Sequence, residues 1–404
     1  MNTLKNLVVF IGGPTGVGKS DLAIKLAKLI QGEVVSCDSV QIYKGLNIGS
    51  NKTLQTEGIP HHLIDIANFS SDYSAGHFYL DCIDVIEDIH KRRKIPILVG
   101  GTGLYMKWIL NGKTTTPEIS AKTKYQVKKM LKGFEGWDEA LDALKQRDPE
   151  YASSLYRNDF YRLERALQIT IETGKVLSCF KQKGDFSRNN FQHHLGWDCR
   201  CLYLSTDRKY LYRLIDYRCE LMLKEGFLEE IVSLKRNGFT SGLSSSNSIG
   251  YKEGLDFLDG LQNNESFNVF VEKFADFLYK FQSESRKYVR NQDTWHWKDD
   301  RFLWIPRNTP TTTMVSFDDC DPVIYDESIC RSIDSLSEFL AEKLTNLSNF
   351  EFNNDDLLNC LSAKAKFPKS IRTKDMLKTY CPKLQIFSDL NEIEKIFISL
   401  MKSE

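Results

Sequence analysis

Between residues 7 and 115 short apolar runs alternate with segments whose apolar positions recur every three or four residues, the signature of strands alternating with helices in a parallel sheet. Leu7-Val8-Val9-Phe10-Ile11 predicts the first strand. Leu22, Ala23, Leu26, Ala27 and Ile30 form a helical stripe before a second strand at Glu33–Ser36. Cys82, Val85, Ile86 and Ile89 form another stripe, and Ile95–Val99 predicts a third strand. From about Pro117 to Asp198 the strand pattern stops, and helical patterns replace it at Tyr125–Leu131, Trp137–Leu144 and Tyr161–Glu172, broken at Asp148-Pro149 and Gly174. Cys201–Leu204 returns to strand character. Helices follow at Lys209–Glu225, Leu228–Arg236 and Val269–Asn291, with a Ser-rich loop at Ser241–Ser248. Phe302–Ile305 predicts a last strand, Thr309–Thr313 a polar loop and Ser328–Leu347 a helix, and the Asn-rich stretch from Asn346 to Asn359 reads as a linker.

The expected fold is therefore α/β, a parallel-sheet core interrupted by a mostly helical insertion domain. Its bounds are expected at 1–116 for the first part of the core, 117–199 for the insertion, 200–347 for the rest of the core, and 348–404 for a tail without assigned role. A chain of 404 residues has room for both units.

Candidate chemistry begins right after the first strand. Gly13-Pro14-Thr15-Gly16-Val17-Gly18-Lys19-Ser20 has the P-loop spacing, in which backbone N–H groups and a helix N-terminus cradle phosphates. Lys19 reaches the phosphates, and the Ser20 hydroxyl suits a Mg²⁺ ion. The core is thus expected to be P-loop NTPase-like. An ordinary nucleotide hydrolase, however, has a second strand ending in Asp. Here the third strand ends in Gly100-Gly101-Thr102-Gly103, where the glycines permit close backbone approach and Thr102 brings a hydroxyl to the ligand-binding edge. The carboxylate stands at the end of the second strand, in Asp38-Ser39-Val40-Gln41. Asp38 suits a metal, an incoming nucleophile's proton, or a turn cap.

These residues, with Ile42-Tyr43-Lys44-Gly45-Leu46-Asn47-Ile48-Gly49, Gly58-Ile59-Pro60-His61-His62, Asp148-Pro149, Arg162, Arg165-Ala166-Leu167, Thr173-Gly174-Lys175, Arg218, Gly250-Tyr251-Lys252-Glu253 and Arg286-Lys287-Tyr288-Val289-Arg290-Asn291-Gln292, resemble the tRNA dimethylallyltransferase (tRNA isopentenyltransferase) family over roughly residues 7–305. The resemblance implies transfer of a dimethylallyl group from its diphosphate to N6 of adenosine 37 in the tRNA anticodon stem-loop. By that likeness Asp38 accepts the N6 proton and Thr102 hydrogen-bonds the bridging oxygen of the leaving diphosphate, while Lys19, Ser20, Mg²⁺ and Arg218 neutralise its charge. Gln41 reads a base edge alongside Asp38, Ser39 and Val40. Arg162, Arg165, Arg286 and Arg290 are expected on tRNA, the insertion clamping the stem-loop. The sequence departs from the family in placing Asn291 where a second basic residue is usual before Gln292. His61-His62 and Ser50-Asn51-Lys52 resemble the eukaryotic branch, without its C-terminal zinc finger.

Bulk composition narrows the alternatives only slightly. The 54 basic and 54 acidic residues cancel, so any nucleic-acid surface is local; between 117 and 200 there are 15 Lys/Arg against 12 Asp/Glu. The run Lys122, Lys124, Lys128, Lys129 and Lys132 suits either a phosphate contact or a solvated helix face. No apolar run approaches membrane-spanning length, no leader precedes the first strand, and ten dispersed cysteines favour reduced thiols. A cytoplasmic monomer without zinc is expected. The rival readings are an enzyme that prenylates free AMP, ADP or ATP, a P-loop kinase of a small metabolite, and a non-catalytic RNA-binding protein.

Overall fold

The computed structural model describes residues 6–52, 56–113, 117–180, 195–262, 265–306, 333–345 and 380–402. The polar loop expected at Thr309–Thr313 and the linker expected at Asn346–Asn359 lie outside the described residues.

Two compact units emerge, one comprising Met1–Leu110 with Arg188–Glu404 and the other Asn111–Ser187. The second unit overlaps the helical insertion expected at 117–199. In the first unit the chain runs through β1 (Leu7–Gly12), α1 (Lys19–Ile30), β2 (Gly32–Ser36), β3 (His61–His62), α2 (Ala75–Lys91), β4 (Ile95–Val99) and α3 (Gly103–Asn111). The second unit holds α4 (Ala121–Lys132), α5 (Trp137–Lys145), α6 (Pro149–Ser153) and α7 (Phe160–Thr173). The first unit resumes with β5 (Asp198–Ser205), α8 (Arg208–Lys224), α9 (Phe227–Arg236), α10 (Tyr251–Asp259), α11 (Phe267–Trp297), β6 (Phe302–Pro306), α12 (Ile333–Thr345) and α13 (Leu390–Lys402).

The sheet has six strands in the order β3-β2-β4-β1-β5-β6, every neighbouring pair parallel. The apolar run of β1 explains its central place. Leu7, Val9 and Ile11 face one apolar cluster with α1 and α12, while Val8 and Phe10 face another with α2 and α3. A strand buried on both faces needs apolar residues at every position, and a parallel sheet covered by helices supplies that environment. The third strand of the sheet in chain order is not the expected Ile95–Val99 but the two-residue edge strand His61–His62, which pairs with Val34 and Val35. Two residues are too few to show an alternation.

A third apolar cluster joins α8, α9, α10 and α11, and here the tail enters. Phe387, Ile393, Ile396 and Leu400 are buried among Phe270 and Phe274. Glu220 on α8 fastens the segment by accepting the backbone N–H groups of Gln385, Ile386 and Phe387, the shortest at 2.7 Å. The Phe387 N–H is buried, and a buried N–H deprived of its acceptor loses about 1–3 kcal/mol. Glu220→Ala is therefore expected to lower the thermal midpoint by several degrees, read in a thermal melt beside a surface Glu→Ala control. An unchanged midpoint would mean that the tail is held by its apolar side alone.

The second unit builds its own small core from Val127, Trp137, Ala140, Leu144, Leu163, Ala166 and Leu167. The expected breaks are helix caps. Asp148 starts α6 by accepting Tyr151 N–H at 3.1 Å and also takes Leu177 N–H at 2.9 Å, while Gly174 ends α7 with φ 67°. All five lysines of α4 are exposed, as are Tyr125, Tyr156 and Tyr161.

Candidate active site

β1 ends in the glycine-rich turn. Gly16 and Gly18 take φ of 81° and 92°, which side chains with a Cβ rarely adopt, and α1 begins at Lys19. The Lys19 ammonium bends back to the Pro14 carbonyl at 2.7 Å. Burial foremost, and then the Arg218 charge, lower its pKa to about 7, partly offset by Asp38 and Asp293. Ser20 stands exposed in the first turn of α1.

Arg218 arrives from α8. Its Nη1 donates to the Thr15 hydroxyl, and its Nε is buried without a hydrogen-bond partner. Burial lowers its pKa. Among the described residues no carboxylate forms an ion pair with it. A buried donor left unmet in this way is costly, by about 1–3 kcal/mol. An anion in front of it would relieve that cost.

Asp38 follows β2. Its Oδ1 accepts the N–H groups of Val40 at 2.8 Å and Gln41 at 3.4 Å, so the carboxylate caps the turn after the strand. Thr102, after β4, accepts the Ser39 N–H at 3.2 Å through its hydroxyl oxygen. Two strand ends that are neighbours in the sheet are thereby tied together at the same edge.

The close approach permitted by the Gly100-Gly101 pair is made by the protein itself. A Cβ at Gly100 would overlap the Cys37 carbonyl, and one at Gly101 would overlap the Gln292 amide. Gln292 on α11 accepts Thr15 N–H at 3.0 Å and donates to the Gly101 carbonyl at 3.1 Å, strapping the P-loop to the turn after β4.

A cavity of about 480 Å³ opens between these groups, lined by Thr15, Asp38, Ser39 and Val40 with Arg218 and Tyr288. Tyr43, Tyr105, Met222 and Phe281 contribute an apolar wall. Thr102 stands one hydrogen bond from this lining through Ser39, and Lys19 bonds Pro14, the neighbour of lining Thr15. Residues from five separate stretches of sequence thus meet around one space.

Two expected tRNA contacts do not have free side chains. Arg286 is 5% exposed and paired with Asp216, whose other oxygen takes the Tyr380 hydroxyl at 2.7 Å. It is a buried link between α8, α11 and the tail. The Gln41 amide is committed at both ends, accepting from Ser36 Oγ at 2.8 Å and donating to the Ser50 and Asn51 carbonyls at 3.2 and 3.3 Å. Arg290 is exposed on α11. In the second unit Arg162 is exposed and paired with Asp159, and Arg165 is half-buried.

Sequence reasoning also missed Tyr288 and Asp293. Asp293 accepts the Tyr203 hydroxyl at 2.7 Å and Arg208 Nη2 at 2.6 Å, and its charge acts on Lys19. The signal was present in α11, where Gln282, Ser285, Gln292 and His296 fall on the buried face. Polar residues in an otherwise apolar stripe mark a place where the helix does more than pack.

Comparison with known proteins agrees with this geometry. The IPP transferase family model matches residues 41–299, and an isopentenyl transferase model matches residues 6–60. tRNA dimethylallyltransferase 9 of Arabidopsis thaliana is 37% identical over 77% of this chain and 73% of its own length. The tRNA dimethylallyltransferase of Geobacter sulfurreducens is 35% identical over 74% of this chain and 92% of its own. Among solved structures, the tRNA isopentenylpyrophosphate transferase of Bacillus halodurans aligns with a TM-score of 0.55 at 30% identity, covering 86% of this chain and all of that one. A eukaryotic dimethylallyltransferase acting on tRNA aligns with a TM-score of 0.59 at 30% identity over 74% of each chain. With the family model spanning most of its length and a relative 37% identical over 77% of it, the chain belongs to the IPP transferase family.

Proposed function

We propose that this protein is a tRNA dimethylallyltransferase, which moves the dimethylallyl group from dimethylallyl diphosphate to N6 of adenosine 37 and releases diphosphate. The observation that carries the reading is the Arg218 guanidinium, bonded to P-loop Thr15 and facing the same cavity as Asp38. An anion-holding end and a carboxylate share one space with an apolar wall.

In the reaction the C1–O bond of the donor breaks, and diphosphate leaves with the electron pair. C1 bonds to N6, and the displaced N6 proton passes to Asp38. Positioning by the cavity and stabilisation of charge on the departing oxygens supply the rate. Arg218, Lys19 and the P-loop N–H groups meet the diphosphate, and Thr102 donates to its bridging oxygen. The target base is reached by extrusion from the anticodon loop, with Ser39 and Val40 at the cavity wall beside it. Arg162, Arg165 and Arg290 take phosphates of the stem-loop. The protein acts as a cytoplasmic monomer.

A Mg²⁺ ion fits on the chemistry of the donors present. Among the described residues no group of three or more His, Cys, Asp or Glu converges as a metal cage. That suits an ion held mostly by diphosphate oxygens and water, with Ser20 as the protein's own ligand. When bound it adds positive charge where the leaving group gains negative charge.

Lys19 makes donor binding depend on pH. With a pKa near 7 in the free protein, Lys19 is cationic below that value and neutral above it. A bound diphosphate favours the cation, so binding above pH 7 takes up a proton. Donor affinity is expected to fall up to about tenfold per pH unit between pH 7.5 and 9, a dependence lost in Lys19→Met. Calorimetric titrations in buffers of different ionisation enthalpy read this directly, and a flat affinity without proton uptake would contradict it.

The functional test incubates the protein with Mg²⁺, radiolabelled dimethylallyl diphosphate and either unmodified tRNA or free AMP and ATP. Label in tRNA supports the proposal. Label only in the mononucleotides would replace it with a free-nucleotide prenyltransferase, and label in neither would refute prenyl transfer.

A further inference from the structure

Part of the cavity wall is loop, and a loop keeps its place through what its backbone groups bind. Gly49 and Ser50 line the cavity together with Asp38, Ser39 and Val40. Glu230, half-buried in the first turn of α9, accepts three successive N–H groups of this loop. Its Oε2 takes Asn47 at 3.0 Å and Ile48 at 2.7 Å, and its Oε1 takes Gly49 at 3.4 Å. Tyr251, a fully buried side chain, donates its hydroxyl to the same Oε1 at 2.7 Å and so fixes the carboxylate in turn. Gly49 packs so closely here that a Cβ would overlap the rings of Phe227 and Tyr251. At the other end of the loop the Ser50 and Asn51 carbonyls accept from the Gln41 amide, and the Gln41 backbone N–H reaches Asp38 Oδ1 at 3.4 Å. A carboxylate 182 positions from Ile48 in sequence thus grips one end of the loop, and a neighbour of Asp38 grips the other.

We propose that Glu230 is a positioning residue for the acceptor: by holding residues 47–49 against α9 it sets the wall beside which the target adenine lies while Asp38 takes its proton. Bonds from backbone N–H groups to an ionised oxygen are strong enough to give such a loop one position. The bonds run from Tyr251 and Glu230 through the loop to Gln41 and Asp38, and none of them involves a P-loop residue. The loss of Glu230 is therefore felt where the acceptor reacts and not where the diphosphate binds. This inference rests on the prenyl-transfer reading, in which Asp38 faces the adenine amine.

The test reads the two ends of the cavity separately in the full-length protein with Mg²⁺. One arm is the single-turnover rate of prenyl transfer to saturating unmodified tRNA, and the other is the calorimetric affinity for inorganic diphosphate. Glu230→Ala loses all four hydrogen bonds. It is expected to lower the rate about tenfold or more, since a misplacement of about 1 Å can cost about 100-fold, with diphosphate affinity within about twofold of wild type. Glu230→Gln keeps one oxygen for the Asn47 and Ile48 N–H groups and is expected to recover the rate to within about threefold. If Glu230→Ala does not fold, Glu230→Gln reads the same split by itself. Equal losses at both ends would mean a general loosening of the fold and would overturn the proposal, as would a Glu230→Ala rate within about twofold of wild type. A wild-type protein that labels no tRNA would remove the functional reading and this inference together, whereas active wild type with either of those outcomes would overturn the inference alone.

Discussion

Asp38→Asn is expected to lower prenyl transfer by about 10²–10⁴-fold while leaving both KM values nearly unchanged. Asparagine is the informative substitution because it separates the observed cap of Asp38 from its proposed role as base. Its Oδ1 caps the turn after β2 through the Val40 and Gln41 N–H groups. An amide oxygen can continue that role, so the turn, the position of Ser39 and the Thr102 contact through Ser39 N–H all survive. The other carboxylate oxygen becomes an NH₂ group, which presents a donor where the adenine amine needs an acceptor. Asp38→Ala loses cap and base together and cannot separate them. Single-turnover rates with saturating tRNA and donor decide the matter. Asp38→Asn activity within a few-fold of wild type would leave Asp38 as a cap and move the proton acceptor elsewhere.

Arg218→Ala is expected to cost about 10²–10³ in kcat, with a weaker affinity for the diphosphate donor besides. The guanidinium is half-buried, bonded to Thr15, and has an unmet Nε. Its charge is thus already set in low-dielectric surroundings before the substrate arrives, and little reorganisation is needed as negative charge grows on the departing oxygens. Arg218→Lys restores a charge but not the fork of donors, and only partial recovery is expected. The ratio of effects on kcat and KM reads where the charge acts. A loss confined to KM would make Arg218 a uniform binder of substrate and transition state.

Removing Arg218 also bears on Lys19, because each cation lowers the other's preference for its charged form. Arg218 is the charge that, after burial, depresses the Lys19 pKa. In Arg218→Ala the proton uptake on donor binding is therefore expected to shift to higher pH. Both cations become easier to hold once a diphosphate lies between them, which ties binding of the donor to the electrostatics of the free site.

The P-loop was legible because everything it needs is contiguous. Eight neighbouring residues supply the glycine torsions, the backbone donors and the lysine, and the flanking strand and helix follow from local periodicity. Asp38 and Thr102 were legible for a related reason: each ends an apolar run, and in a parallel sheet strand ends with the same polarity gather at one edge. The double use of Asp38 as cap and reactive group was open in the sequence, and the hydrogen bonds to Val40 and Gln41 show the cap directly.

Elsewhere the sequence was silent, because a residue type does not name its partner. Arg286 and Arg290 lie four apart in one basic run, yet one is buried against Asp216 and the other is exposed. Only the approach of α8, some seventy positions away in sequence, separates them. Gly100 and Gly101 announced a close approach without saying of what, and the answer is Cys37 and Gln292. Gln41 carried the right atoms for a base edge, but neighbouring carbonyls and a serine claim them first. The edge strand at His61–His62 and the docked helix α13 depend on what already stands beside them. By itself the sequence determined the strand–helix order, the phosphate cradle and the carboxylate at a strand end, since these follow from spacing along the chain. The tertiary structure alone decided which charges are buried in pairs, that the Arg218 Nε goes unmet, and that Gln292 reaches the P-loop, because burial and hydrogen-bond direction are properties of contacts between distant segments.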